Sequence, residues 1–241
     1  MDPDSVKSTL SGLAFGNVLA AAARDYQKLL SQRINSYGKA IAKGRNRGYS
    51  DQNLSIHKLH LDLSRPEPVV SLLDKWIPIL ALNIKVFKLN FLSYTPAYYE
   101  LPSAVFLAES LEELHLHRCK VSPVESVRFK HLRTLTLKWV LINDGALEKI
   151  MLGCPLLGRM DLISCQGLRN IRLVGEAASR GLKHLKLYNL ERIEGCSIGI
   201  DAPNLETVCI DGPWIWSHRQ SAFLFSRLTR LHLYRVMLSS E

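Results

Sequence analysis

A short leucine pattern recurs along this chain, and its spacing leaves few architectures open. LEELHL begins at Leu111 and returns as LRTLTL at Leu132, LGRMDL at Leu157, LKHLKL at Leu182, LETVCI at Leu205 and LTRLHL at Leu228. The successive steps are 21, 25, 25, 23 and 23 residues. Looser copies stand at Ile56 (IHKLHL), Ile84 (IKVFKL) and Leu168 (LRNIRL). One such hexapeptide would mean little. A series at this period marks a stack of like structural units.

The pattern also says what each unit is. L-x-x-L-x-L ends in strict alternation, so Leu114 and Leu116 point to one face of a short strand. A strand of that length cannot bury an apolar face by itself. Stacked in parallel on its neighbours, with return segments behind, it builds a continuous core. The expected fold is therefore α/β: a leucine-rich-repeat solenoid, a curved parallel sheet with helical or irregular returns. One return is predicted to be helical. NDGALEKIMLGCP opens with Asn143 and Asp144 as N-cap candidates, carries Ala146, Leu147, Ile150 and Met151 on one face, and stops at Gly153 and Pro155. The repeats are assigned to a domain over 51–241. Residues 1–50 are assigned to an N-terminal helix and basic linker.

The alternation decides the meaning of SLEELHLHRC (110–119), which could be taken for a metal or catalytic cluster. His115 and His117 fall on the outward, concave face, whereas Cys119 turns inward after the strand. They do not converge as a tetrahedral zinc site requires. Cys165 is read as inward like Cys119, and Cys209 as outward. The outward middle column reads His60, Lys88, His115, Thr136, Asp161, Arg172, Lys186, Cys209 and His232. Flanking columns add Arg159 and Arg230 on one side and His117, Lys138, Tyr188 and Tyr234 on the other. From these, the candidate protein-binding residues are His115, His117, Lys138, Arg159, Arg172, Lys186, Tyr188, Arg230, His232 and Tyr234. Tyrosine and arginine are the residue types that most often anchor protein partners.

Composition narrows the classes. Of the 241 residues, 47% are hydrophobic and 22% charged, as in globular proteins. No apolar run approaches the length of a membrane span. The five cysteines are scattered without C-x-x-C spacing, which points to a reducing compartment, cytoplasmic or nuclear. Residues 1–50 hold 8 Lys/Arg against 3 Asp/Glu, and the excess peaks in KAIAKGRNRG (39–48). Without interleaved aromatics that segment is read as a solvated linker rather than a nucleic-acid site. Trp214 and Trp216 in GPWIWSH are read as packing a loop. Nucleotide-binding, zincin and nucleophile-elbow motifs are missing. No catalytic, metal or cofactor-binding residue is assigned, and no cofactor is expected.

DQNLSIHKLHLDL (51–63), LPSAVFLAESLEELHLHRC (101–119) and DGALEKIMLGCPLLGRMDLISCQGLRNIRL (144–173) give the region from Asp51 onward a further character. It resembles the leucine-rich-repeat part of plant F-box proteins. The short repeat at Leu168, 11 residues after Leu157, fits the GCPLL…CQGL cluster of that family. The resemblance implies substrate-recruiting repeats of a cullin–RING ubiquitin ligase, whose F-box is a separate helical module that binds the ligase adaptor. LPSAVFL (101–107) begins like an F-box but lies between repeats, and no other F-box is recognised, so adaptor binding is not expected. MDPDSVKSTLSGLAFGNVLAAAARDYQK (1–28) resembles the N-terminus of plant phosducin-like, thioredoxin-domain-containing proteins. No thioredoxin domain follows it, so no redox activity carries over. The chain thus reads as truncated or chimeric: a leader, a basic connector and a repeat array. The function read from it is non-enzymatic protein binding, with an unidentified protein ligand on the concave face. The alternatives are a ubiquitin-ligase substrate receptor and a basic nucleic-acid-associated protein.

Overall fold

A computed structural model of the chain describes Gln32 and residues 57–63, 70–81, 84–92, 98–173, 181–190, 197–200, 202–212, 215–216, 227–235 and 237–238. It begins with strand β1 (Lys58–Leu63), helix α1 (Val70–Leu80), β2 (Val86–Phe91) and β3 (Tyr99–Glu100), followed by a 3-10 turn over Ser103–Leu107. Next come β4 (Glu113–His117), β5 (Cys119–Lys120), β6 (Thr134–Lys138), α2 (Asp144–Leu152), β7 (Arg159–Ile163) and β8 (Asn170–Leu173). The remaining elements are β9 (His184–Tyr188), β10 (Ser197–Ile200), β11 (Thr207–Asp211), β12 (Ile215–Trp216), β13 (Arg230–Tyr234) and β14 (Met237–Leu238). Apart from Gln32, the predicted N-terminal helix and linker lie outside the described residues, as does Trp214.

Eight strands form one parallel sheet in the order β1-β2-β4-β6-β7-β9-β11-β13. Parallel neighbours cannot be joined by a hairpin and need a crossover, which each repeat supplies behind the sheet. Glu113, Thr134, Arg159, His184, Thr207 and Arg230 are successive register partners. The steps between them are the 21, 25, 25, 23 and 23 residues that separate the repeat leucines. The phase of the sequence repeat is the register of the sheet.

That register stacks like on like. Leu111, Leu132, Leu157, Leu182 and Leu205 are fully buried, as are Leu114, Leu135, Met160 and Val208 from the next inward position. Cys119, Val140, Cys165 and Leu190 form a further buried column just past the strands. LTRLHL (228–233) predicts the same burial for Leu231, and that expectation fails. It is 48% exposed, and Leu233 is 38% exposed, although their partners Val208 and Ile210 are buried. β13 is the outermost strand of the described sheet, paired on one side only. Among the described residues its inward leucines have only one neighbouring repeat to pack against.

Two hydrogen-bond motifs repeat with the strands. At each entry, consecutive amides converge on one carbonyl of the preceding repeat. Arg133 and Thr134 donate to Glu112, Gly158 and Arg159 to Arg133, and Lys183 and His184 to Gly158. At the exits of β4, β6, β7, β9 and β13 a single residue turns into the left-handed region: Arg118, Trp139, Ser164, Asn189 and Arg235, with φ between 47° and 58°. The amides of Arg118, Trp139, Ser164 and Asn189 donate to the last carbonyl of the next strand, at 2.8–3.0 Å. Backbone that would be orphaned at the strand end is thereby paired.

The return side is built from α1, α2 and short parallel ladders, β3 with β5, β8 with β10 and β12 with β14. Helix α2 follows its predicted boundaries. The Asn143 side chain accepts from the Ala146 amide at 2.8 Å, and the buried face is Ala146, Leu147, Ile150 and Met151. Gly153 is needed for close approach, since a Cβ there would stand 2.5 Å from Val127 Cγ1. LPSAVFL forms the 3-10 turn between repeats, burying Val105 and Phe106. The repeat pattern predicts Arg172 in the outward column of the main sheet. It instead lies in β8, paired with Gly199 of β10. Eleven residues from Leu157 leave no room for another crossover, so LRNIRL serves as the return of its repeat. Among the described residues no helix is long and apolar enough to cross a membrane.

Candidate functional site

The face opposite the returns carries three registered columns of side chains. The middle one runs His60, Lys88, His115, Thr136, Asp161, Lys186, Cys209 and His232 across all eight strands. The column at the strand entries includes Glu113, Arg159, His184 and Arg230, and that at the exits includes His117, Lys138, Tyr188, Asp211 and Tyr234. Nine of the ten candidate residues thus share one face, and Arg172 is the exception.

Local contacts divide the face into distinct regions. On β7, Asp161 is almost buried, and Arg159 Nε donates to its Oδ2 at 3.0 Å. On β11, Asp211 is buried and receives the Arg235 guanidinium at 2.8 Å. Both acids are already neutralised by arginine and offer little to a cationic ligand. Lys186 Nζ lies 5.2 Å from the Tyr188 ring centroid, a cation–π contact that holds both side chains over the face. Tyr188 is 42% and Tyr234 72% exposed, the accessibility an aromatic anchor requires.

His115 and His117 are handled differently by their surroundings. His115 Nε2 lies 3.2 Å from Glu113 Oε2. His117 Nδ1–H donates to the Phe91 carbonyl at 2.9 Å, which fixes its tautomer and leaves Nε2 as an acceptor. Burial pushes the His117 imidazole below its usual pKa. Its bond to Phe91 opposes that, and the nearby Lys138 and Arg118 charges add to it. Cys119 faces inward and its thiol is pushed up by burial. Cys154 is pushed up to about 12 and Cys165 to about 11, again chiefly by burial. Half-buried Cys209 stands in the outward column between Lys186 and His232. Among the described residues no group of three or more His, Cys, Asp or Glu side chains is arranged to hold a metal ion.

At the exits of β1, β2, β4 and β6 the face opens into a cleft of about 460 Å³. Asp62, Lys88, His117, Arg118, Lys138 and Trp139 are among its walls. Three of these, His117, Lys138 and the neighbouring Lys88, follow from the outward columns. Trp139 and Arg118 do not, because they lie one residue beyond the alternation, at the left-handed corner. The signal that marks them is positional: each immediately follows the residue after L-x-x-L-x-L.

A parallel sheet whose strands keep the period and phase of a leucine-rich motif, with its polar columns on the side away from the returns, defines a leucine-rich-repeat protein. Comparison with known proteins narrows the class. Residues 73–224, more than half of the chain, match the family model described as FBD-associated F-box protein At5g56370, LRR repeats. The chain belongs to this family. It is similar to the F-box protein At5g03100 of Arabidopsis thaliana, with 28% identity over 85% of this chain and 58% of the relative. It is also similar to the putative FBD-associated F-box protein At5g53635 of the same plant, with 30% identity over 58% of this chain and 33% of the relative. The chain therefore spans from a third to under two thirds of the length of these relatives. A separate stretch of 28 residues is 89% identical to the thioredoxin domain-containing protein PLP3B of Arabidopsis thaliana, covering 12% of each chain. No solved structure matches the chain.

Proposed function

We propose that the chain is a non-enzymatic recognition protein whose partner is another protein, held on the polar face of the eight-stranded sheet. The observation that carries the reading is the in-register display of the three outward columns, an extended surface of the kind that stacked repeats present to ligands. Arg159, Lys186, Tyr188, Arg230, His232 and Tyr234 are the proposed contacts towards β13, and His115, His117 and Lys138 those towards β1. The test is capture from plant extract by the immobilised chain, read by mass spectrometry. Proteins retained by the wild type should be lost from an Arg159→Glu/Lys186→Glu/Arg230→Glu variant. They should persist with a charge reversal at Lys149, which lies on the return side. Equal retention by both variants would remove the face from consideration.

A second reading is favoured by the F-box names of the relatives: that the chain is a substrate receptor of a cullin–RING ubiquitin ligase. Saturable retention of the ligase adaptor by the purified chain at micromolar concentration would support it. The expected outcome is no retention, because LPSAVFL is built into the repeat stack with Val105 and Phe106 buried and is not presented for docking.

A further inference from the structure

The cleft at the exits of β1, β2, β4 and β6 has a chemistry of its own. Its cations are Lys88, Arg118 and Lys138, against one acid, Asp62. That carboxylate is already engaged by Asn90 Nδ2 at 3.0 Å. Neither the Lys88 nor the Lys138 ammonium is held in an ion pair with a described residue. Two large apolar side chains, Leu92 at 56% exposure and Trp139 at 38%, complete the mouth. Trp139 is also the bulkiest residue in the left-handed corner series, at φ 53°, a backbone state unfavourable for an aromatic residue.

Dimensions choose among anions. Four parallel strands about 4.8 Å apart span roughly 14 Å, the length of about four extended residues. Lys88 and Lys138 stand on strands separated by β4, an arrangement suited to two separate carboxylates more than to one compact anion. Exposed apolar area beside them calls for a side chain to cover it. We propose that this cleft binds a short acidic peptide segment carrying one bulky apolar side chain, with carboxylates on Lys88 and Lys138 and the apolar group against Trp139 and Leu92. The proposal rests on the protein-binding reading above and adds the chemistry of the partner.

The probe is a fluorescein-labelled peptide, Glu-Asp-Phe-Glu-Asp, titrated with the full chain and followed by anisotropy. Saturable binding at submillimolar concentration is expected. Lys88→Glu/Lys138→Glu should weaken it at least tenfold. Trp139→Ala should weaken the Phe peptide several-fold and leave a Phe→Gly version of the peptide unchanged. Lys149→Glu, on the return side in α2, should change nothing, and circular dichroism melts identify any variant that has failed to fold. The proposal is overturned if a Lys-for-acid peptide binds as well, or if no variant alters affinity. A single-stranded RNA decamer that bound more tightly through the same lysines would also overturn it. Capture that still depends on Arg159, Lys186 and Arg230 while the peptide fails to bind would dismiss the cleft and leave the protein-binding reading standing.

Discussion

At the scale of single residues, neighbours on one strand meet different fates because the face is unevenly covered. His117 is the sharpest case. Its neutral form is favoured by burial, its Nδ1–H satisfies the Phe91 carbonyl, and Lys138 and Arg118 repel a second charge. Its folded pKa therefore lies below that of the unfolded chain, about 6.5 for an unperturbed histidine. Above that value both states are neutral and the fold keeps its full stability. As pH falls from there through the folded pKa, the unfolded chain takes up the proton first and stability is lost. Urea midpoints measured between pH 7.5 and 5 should fall with acid, and His117→Gln should flatten that slope. An unchanged slope would show that another group controls it. Not every residue with a role was readable beforehand. The left-handed corners carry Arg, Trp and Ser as well as Asn, so the glycine or asparagine that ordinarily betrays such a backbone is missing from most of them. Trp139 carries neither that mark nor a place in the outward alternation.

At the scale of elements, alternation transmitted the sheet strands and their inward faces almost without loss, while the returns came through unevenly. Helix α2 has a cap, an apolar face and a glycine stop, and its limits were legible. Helix α1 has no such markers in the sequence: Pro78 sits inside it, and an interior proline ordinarily argues against a helix. Burial of Leu73, Trp76, Ile77 and Leu80 overrides that cost. LRNIRL was misplaced because it shares the repeat pattern while serving as a return. The same packing logic makes a quantitative contrast between two leucines in equivalent positions. Leu135 lies between two repeats and is fully buried, so Leu135→Ala should cost on the order of 2–5 kcal/mol. Leu231 is 48% exposed on the outermost described strand, and Leu231→Ala should cost less than about 1 kcal/mol. Chemical denaturation of the two variants measures the difference. Equal losses would mean that β13 is covered as completely as β6.

At the scale of the whole molecule, each repeat packs chiefly on its neighbours, with Tyr98 Oη–H donating to Gln166 Oε1 at 3.0 Å as a longer link, so stability accumulates along the stack. We propose that residues 1–50 stand apart from this stack and that limited proteolysis cuts first between Gly38 and Gly48. The 51–241 fragment should then melt with the full chain, and a fragment melting far below it would show that the leader caps the first repeat. The strict alternation of each strand has a consequence for descent as well as for folding. Codons that specify the leucine stack and codons that specify the outward columns are interleaved, one after the other, along every strand. At the exposed positions of the second kind, a base change alters what the surface can recognise and removes no side chain from the leucine stack. A lineage built on such a chain can exchange one partner for another by single steps, each of which still folds.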